Sequence, residues 1–200
     1  MREVFEVFDT ERAEAAVKEL LLAFGENPER EGLQDTPRRV AGYWKELLQG
    51  LQYTNAEIAS MFSKKFEVSS NPLVVKKIEN VFSHCEHHLA LMYNMTVTVA
   101  YLPCELENGR YQVIGLSKIP RIVELCAKRL QLQEKLAEDI AECISLATGS
   151  MDIYVNIVAD HACVAARGAR SEGLTDVTCL RGRFQNDEKL RAEVERKCRC

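Results

Sequence analysis

The sequence predicts an α+β fold. Two amphipathic helical segments open the chain, strand-like runs occupy its middle, and one long helical block sits between the third and fourth of those runs. Strands gathered around a helical block, rather than alternating with helices one by one, argue for α+β over a doubly wound α/β chain. In order, Ala13, Ala16, Val17, Leu20, Leu21 and Phe24 recur at helical spacing after Asp9-Thr10, and Gly25 offers a stop. Asp35-Thr36-Pro37 starts a second helix, because a capping side chain followed by Pro in the first turn is a start signal. It runs through Val40, Tyr43, Trp44 and Leu47 to Gly50. Strands are expected over 73–82, 95–102, 110–114 and 151–159, and the alternation Met95-Thr96-Val97-Thr98-Val99 is the clearest of them. Between the third and fourth lies a helical stretch from about Ser117 to Leu146, ended by Gly149. There is no internal repeat and no low-complexity linker. The expected organisation is an N-terminal helical region over 1–65, a mixed domain over 66–185 and a C-terminal helical tail over 186–200.

A chain of 200 residues with 46% hydrophobic content can bury a core as one domain, or one domain with a helical appendage. No apolar run approaches the ~20 residues of a membrane span, and Met1-Arg2-Glu3-Val4 begins neither a signal peptide nor an Arg-rich transit peptide. A cytoplasmic protein without membrane association is expected. Eight cysteines do not make a disulfide framework in a chain of this length without regular spacing. Cys104, Cys126, Cys143 and Cys179 read as small buried or half-buried residues, and Cys198-Arg199-Cys200 as a frayed, oxidisable tail. With 26 basic against 30 acidic residues the net charge is -4, which argues against general nucleic-acid binding. An anionic ligand must then be met by a local pocket.

All four histidines fall in two short clusters, His84-Cys85-Glu86-His87-His88 and His161-Ala162-Cys163, and each pairs imidazole with thiol. A structural zinc site usually closes with four protein ligands, whereas a catalytic one supplies three and keeps a position for water. Cys85, His88 and Cys163 make three, leaving His87 and His161 as nearby proton-transfer groups. Residues three apart share a face only in a helical turn, so Cys85 and His88 can meet on one ion only if their cluster is coiled. His161 and Cys163 follow the β-branched run Ile153-Tyr154-Val155-Asn156-Ile157-Val158, where an i, i+2 pair in extended chain shares one face. Such a site would activate water near neutral pH. The ordinary fate of a lone Cys is burial as an inert thiol; two clusters that hold every histidine make that the weaker reading.

Longer motifs extend this picture. Cys85-Glu86-His87-His88, Gly115-Leu116-Ser117-Lys118-Ile119-Pro120-Arg121-Ile122-Val123, Arg129-Leu130-Gln131-Leu132-Gln133-Glu134, and His161-Ala162-Cys163 followed by Ala166-Arg167-Gly168 resemble the ordered motifs of the GTP cyclohydrolase I family. Asp35-Thr36-Pro37-Arg38-Arg39-Val40 is similar to that family's N-terminal helical region. Several long motifs in order are far more specific than one short pattern. The resemblance implies a tunnelling fold, in which antiparallel sheets with helices on one side assemble into a barrel-like ring. It implies a zinc-containing homodecamer, active sites between subunits, and conversion of GTP to 7,8-dihydroneopterin triphosphate and formate. By the same resemblance His161 helps make the purine imidazole ring electrophilic, His87 moves protons during deformylation, and Ser117 with His161 serves the ribose steps. Histidine suits such work because its ordinary pKa lies near neutrality. Glu134, at the family's Gln-Glu position with Gln133, can accept from the adjacent N1–H and amino group of guanine, a donor pair that adenine lacks. Lys118, Arg121 and Arg167 match positions that hold the triphosphate, and Arg39 joins them.

Two departures stand against the family pattern. A Pro-Phe-x-Gly turn often follows the histidine pair, and this chain has Leu91-Met92-Tyr93-Asn94, where Asn can take the left-handed conformation that Gly favours. After Arg167-Gly168 the usual Ser-x-Thr-x-Thr reads Leu174-Thr175-Asp176-Val177-Thr178, and Asp176 would repel a triphosphate if it faced one. The alternatives are a diverged enzyme of this fold acting on another purine nucleotide or a pterin, and a non-catalytic ring-forming protein that keeps zinc for structure. Cys/His ligation suits zinc, with ferrous iron as the other candidate metal.

Overall fold

The structure, a computed structural model, describes residues 8–198. The N-terminal Met1-Arg2-Glu3-Val4 and the last two residues of the Cys198-Arg199-Cys200 tail lie outside them. The chain gathers into two compact units that divide between Gln52 and Tyr53.

In the first unit, α1 (Thr10–Ala23) starts where the Asp9 carboxylate accepts from the Arg12 N–H at 2.9 Å, and it stops at Gly25, whose φ is +82°. Helix α2 (Thr36–Leu47) carries Pro37 in its first turn and ends short of the expected Gly50, handing over to a 3₁₀ turn at Gln49–Gln52. The two helices pack on each other, yet α1 has no buried residue and α2 only Ala41. Their apolar stripes stay open: Leu20, Leu22 and Tyr43 are about half exposed, and Phe24 is 70% exposed.

The second unit opens with α3 (Asn55–Met61), whose start is a capping box: the Thr54 hydroxyl accepts from the Glu57 N–H, and the Glu57 carboxylate accepts from the Thr54 N–H at 2.7 Å. There follow β1 (Lys65–Val68), β2 (Val74–Cys85), β3 (Leu91–Tyr101), β4 (Cys104–Glu105), β5 (Tyr111–Ile114), α4 (Lys118–Ala127), β6 (Leu130–Gln131), α5 (Gln133–Thr148), β7 (Ile153–His161), α6 (Ala162–Ala165), β8 (Thr175–Arg181) and α7 (Glu188–Cys198). The main sheet has the order β6-β2-β3-β7-β8, antiparallel except for β6, which runs parallel to the end of β2. A small antiparallel sheet, β1-β5-β4, stands apart from it.

The period of two along the central strands separates two cores. Val97 and Val99 of β3 and Val155 and Ile157 of β7 pack with Ile119, Ile122 and Val123 of α4 and with Leu136, Ile140 and Ile144 of α5. The alternate residues Ala100 and Tyr154 face the other way, onto Phe184 and Val194 of the C-terminal segment. Cys198, expected to fray, is half-buried at the end of α7 against this second core, with its Sγ 3.8 Å from the Thr98 hydroxyl. Cys126 and Cys143 are buried as expected, Cys179 is half-buried, and Cys104 is exposed instead.

The single helix expected over 117–146 is two helices. Arg129 explains the break, because its side chain is 5% exposed and bound inward. Its guanidinium donates to Asp139 of α5 at 3.0 Å, to the Asn55 side-chain oxygen at 2.7 Å and to the Tyr53 carbonyl at 2.9 Å. The chain leaves helical geometry there, and Leu130–Gln131 pairs with His84–Cys85. Strands β1, β4, β6 and β8 carry no expectation from the sequence, and β2 and β7 run two or three residues past their expected ends. Asn94 does adopt the left-handed conformation, φ +49°, but within a bulge of β3 rather than a turn, where its amide donates to Asp160 at 2.9 Å.

Candidate active site

The extra length of β2 and β7 is what assembles the site. Strand β2 carries the chain to Cys85, whose N–H donates to the Ala90 carbonyl at 2.8 Å, and Glu86 N–H donates to the Gln131 carbonyl at 3.1 Å. Residues 86–88 form a turn, Leu89 takes φ +51°, and β3 begins at Leu91. The His-Cys cluster is therefore coiled, as convergence of Cys85 and His88 requires. From the other side β7 brings His161 opposite Met92 of β3. Here the expected geometry needs correction: the extended chain ends at His161, and Cys163 lies in the single helical turn α6, so it is the turn, not a shared strand face, that directs it.

Ligand atoms of Cys85, His88 and Cys163 all lie within 4.8 Å of one another. A tetrahedral zinc with ~2.3 Å bonds to sulfur spaces its ligands about 3.8 Å apart, so the set fits after small adjustment. Burial pushes the Cys163 thiol up, and the adjacent Cys85 sulfur pushes it further. An S, N, S donor set is one that zinc takes. Arg167 donates to His88 Nε2 at 3.0 Å, which places a guanidinium at the edge of the cluster.

His87 is exposed, its ring edge-on to His88 with centroids 6.4 Å apart. Ser117 is the N-cap of α4 with its hydroxyl unused as a cap. Lys118 and Arg121, three apart on the first turns of that helix, share a face, and Lys118 Nζ also sits 6.0 Å from the Phe62 ring centre. Glu134 is exposed in the first turn of α5. Its neighbour Gln133 is 2% exposed: its amide donates to the Ile157 carbonyl at 2.8 Å and the Thr175 carbonyl at 2.9 Å, and its oxygen lies 2.7 Å from His161 Nε2. Arg39 belongs to the N-terminal unit, where it meets Asp35 at 3.4 Å.

Asp176 does not share the face of His161. It alternates with Val177, which packs on the helix-side core, and its carboxylate accepts from the Asn156 amide on β7. Leu174 is exposed. The buried Arg129–Asp139 pair is the feature that sequence reasoning passed over, and an Asp on the otherwise apolar face of α5 is the signal that points to it.

Residues 13–199 match the family described as GTP cyclohydrolase I. The chain belongs to the GTP cyclohydrolase I family. Curated relatives named GTP cyclohydrolase 1 include one from Clostridium acetobutylicum, 48% identical over 189 residues that cover 91% of this chain and 93% of that one. Another, from Clostridium beijerinckii, is 45% identical over 194 residues, covering 93% and 95%. A solved structure of the apo archaeosine synthase QueF-Like aligns at 20% identity and a TM-score of 0.41, over 55% of this chain and 94% of that one, a likeness too distant to bear on the fold. For a GTP cyclohydrolase I family member the Cys85, His88 and Cys163 cluster could hold a metal, and among the described residues it is the one such His/Cys/carboxylate group.

Proposed function

We propose that the protein is a zinc-dependent GTP cyclohydrolase I, opening the imidazole ring of GTP to give 7,8-dihydroneopterin triphosphate and formate. The observation that carries this reading is the convergence of Cys85, His88 and Cys163 beside His161, on a chain of this family. Cys85, His88 and Cys163 would hold the zinc, which when bound would supply the Lewis acidity that makes water nucleophilic near neutral pH. His161 exchanges a proton with the purine ring during attack, and His87, exposed at the rim, serves the proton transfers of deformylation. The unused hydroxyl of Ser117 stands ready for the ribose steps.

Glu134 accepts from the two adjacent donors of guanine. Lys118 and Arg121 crown the N-terminal end of α4, where the helix dipole also favours an anion, and with Arg167 they bind the triphosphate. Arg39 is the remaining residue we assign to the triphosphate, on its position in the Asp35-Thr36-Pro37-Arg38-Arg39-Val40 motif. Asp176, held by Asn156 on the far face of the sheet from His161, does not oppose this.

The domain over 66–185 is the catalytic part, with a tunnelling fold that closes into a ring in a homodecamer, the active sites lying between subunits. Two features support assembly. Among the described residues, β8 and most of β2 have no strand partner on their outer sides, since β6 reaches only His84–Cys85. The apolar stripes of α1 and α2 are open as well. Among the described residues no helix is long and apolar enough to cross a membrane; a cytoplasmic enzyme without nucleic-acid partners remains our reading.

Incubating purified protein with GTP and following formate and pterin fluorescence tests the activity; absence of both products sinks it. Metal analysis tests the site. Cys85→Ala and Cys163→Ala should each lose most of the zinc, and near-full occupancy in both would remove the assignment.

A further inference from the structure

The role given to His161 does not say which of its two ring nitrogens works, and the structure decides this through a residue outside the reacting groups. Gln133 opens α5, is 2% exposed, and has three polar neighbours: the carbonyl oxygens of Ile157 in β7 and Thr175 in β8, and His161 Nε2. Turning the amide over would set its oxygen against two carbonyl oxygens at 2.8 and 2.9 Å with no proton between any of them. Only one orientation satisfies the site: the amide nitrogen spends both protons on the two carbonyls, and the amide oxygen faces His161. That oxygen can only accept. The imidazole nitrogen 2.7 Å away must therefore carry a proton.

We propose that Gln133 is a positioning residue that fixes the proton of His161 on Nε2 and leaves Nδ1 as the nitrogen that exchanges protons with the substrate. The inference rests on the reading of His161 as a proton-transfer group, and it gives Gln133 a function other than contact with the nucleotide. Both donors of its amide are consumed by strand carbonyls, so none is left for a ligand. The orientation is set by β7 and β8, so it exists before substrate arrives. A neutral imidazole carries one N–H; holding it on Nε2 makes Nδ1 the bare nitrogen, and in the cation Nδ1–H is the proton free to leave. A carboxylate in this position would fix the same tautomer but would also favour the charged ring; an amide orients without adding charge.

The test uses zinc-loaded enzyme carrying ¹⁵N-labelled histidine. Long-range ¹H–¹⁵N correlation spectra distinguish protonated from bare ring nitrogens, and His161→Gln identifies the signals of that ring by their loss. The wild type should show His161 as the Nε2–H tautomer. Gln133→Met, close in shape but without an acceptor, should lose that single tautomer. Its kcat for GTP should fall about 10²-fold, the lower end of the ~10²–10⁴ a positioned acid–base group contributes, with KM unchanged. A wild-type His161 protonated on Nδ1 alone overturns the proposal, as does a Gln133→Met spectrum identical to wild type. A raised KM with unchanged kcat would make Gln133 a substrate contact instead. If Gln133→Met does not fold, the wild-type spectrum still decides. If wild type turns over no GTP, it is the proposed activity that fails, and the spectrum still reports the tautomer.

Discussion

Glu134 and Gln133 are neighbours in sequence with opposite fates. The first turn of α5 points Gln133 into the sheet and Glu134 out of it. An exposed helix carboxylate is usually solvated surface, and changing it costs almost nothing. If Glu134 reads guanine, Glu134→Gln exchanges one acceptor oxygen for an amide that faces guanine's own donors. A lost charge-assisted hydrogen bond costs ~1.5–3 kcal/mol, so GTP should bind roughly 10- to 100-fold more weakly while thermal stability stays put. Competition by ATP checks the same residue from the ligand's side: ATP that competes as well as GTP would sink the assignment. The group that could hold a metal was legible because Cys and His are rare and chemically narrow, so two clusters holding every histidine stand out in a single sequence. Gln133 was legible as a motif position but not as a positioning group. Its partners are main-chain carbonyls on two distant strands, and no side-chain pattern records them.

At the level of elements, the break between α4 and α5 decides how the site is backed. Periodicity joins these helices because the apolar spacing continues through Leu130 and Leu132; what separates them is the inward pull on Arg129, which periodicity does not see. The strands that escaped the sequence are short, as β4 and β6 are, or follow a loop whose composition hides their start, as β8 does. Asp139 collects Arg129, Lys135, Gln131 and Asn55 around one carboxylate. Burial alone would raise this carboxyl, but the hydrogen bonds outweigh it and hold it below its ordinary 3.8. On acidification the unfolded chain thus takes up this proton first. The contribution to stability is complete above about pH 4 and fades as pH falls further. Asp139→Asn should lose about 3–5 kcal/mol at neutral pH, the range for stripping one partner from a buried ion pair, and should show a flatter acid limb. Urea melts across the acid range check both. An acid limb as steep as wild type would mean other carboxylates carry it.

For the whole molecule, the open apolar stripes of α1 and α2 and, among the described residues, the outer sides of β8 and most of β2 are surfaces that further copies of the chain would cover in the proposed assembly. Exposed hydrophobic side chains are ordinary when scattered, but Leu20, Leu22, Phe24 and Tyr43 lie on two packed helices, and unpaired strand edges invite pairing. Light scattering should return a mass of ten chains. If the active site is shared between subunits as proposed, dilution far enough to release single chains should abolish GTP turnover while zinc stays bound, because Cys85, His88 and Cys163 come from one chain. A fully active monomer would refute the shared site.

The three residues that could hold a metal also stand in a particular relation to chain order. Cys85 and His88 sit where β2 turns into β3, and Cys163 follows β7, so they meet only after β3 has paired on both sides. Contacts between segments so far apart in sequence form slowly, since the intervening chain must first be ordered. A nascent chain released before β7 holds two of these three residues, Cys85 and His88, and cannot complete the group. If this group holds zinc as proposed, metal capture would be a late event in biogenesis, a checkpoint passed only by chains whose central sheet is already complete.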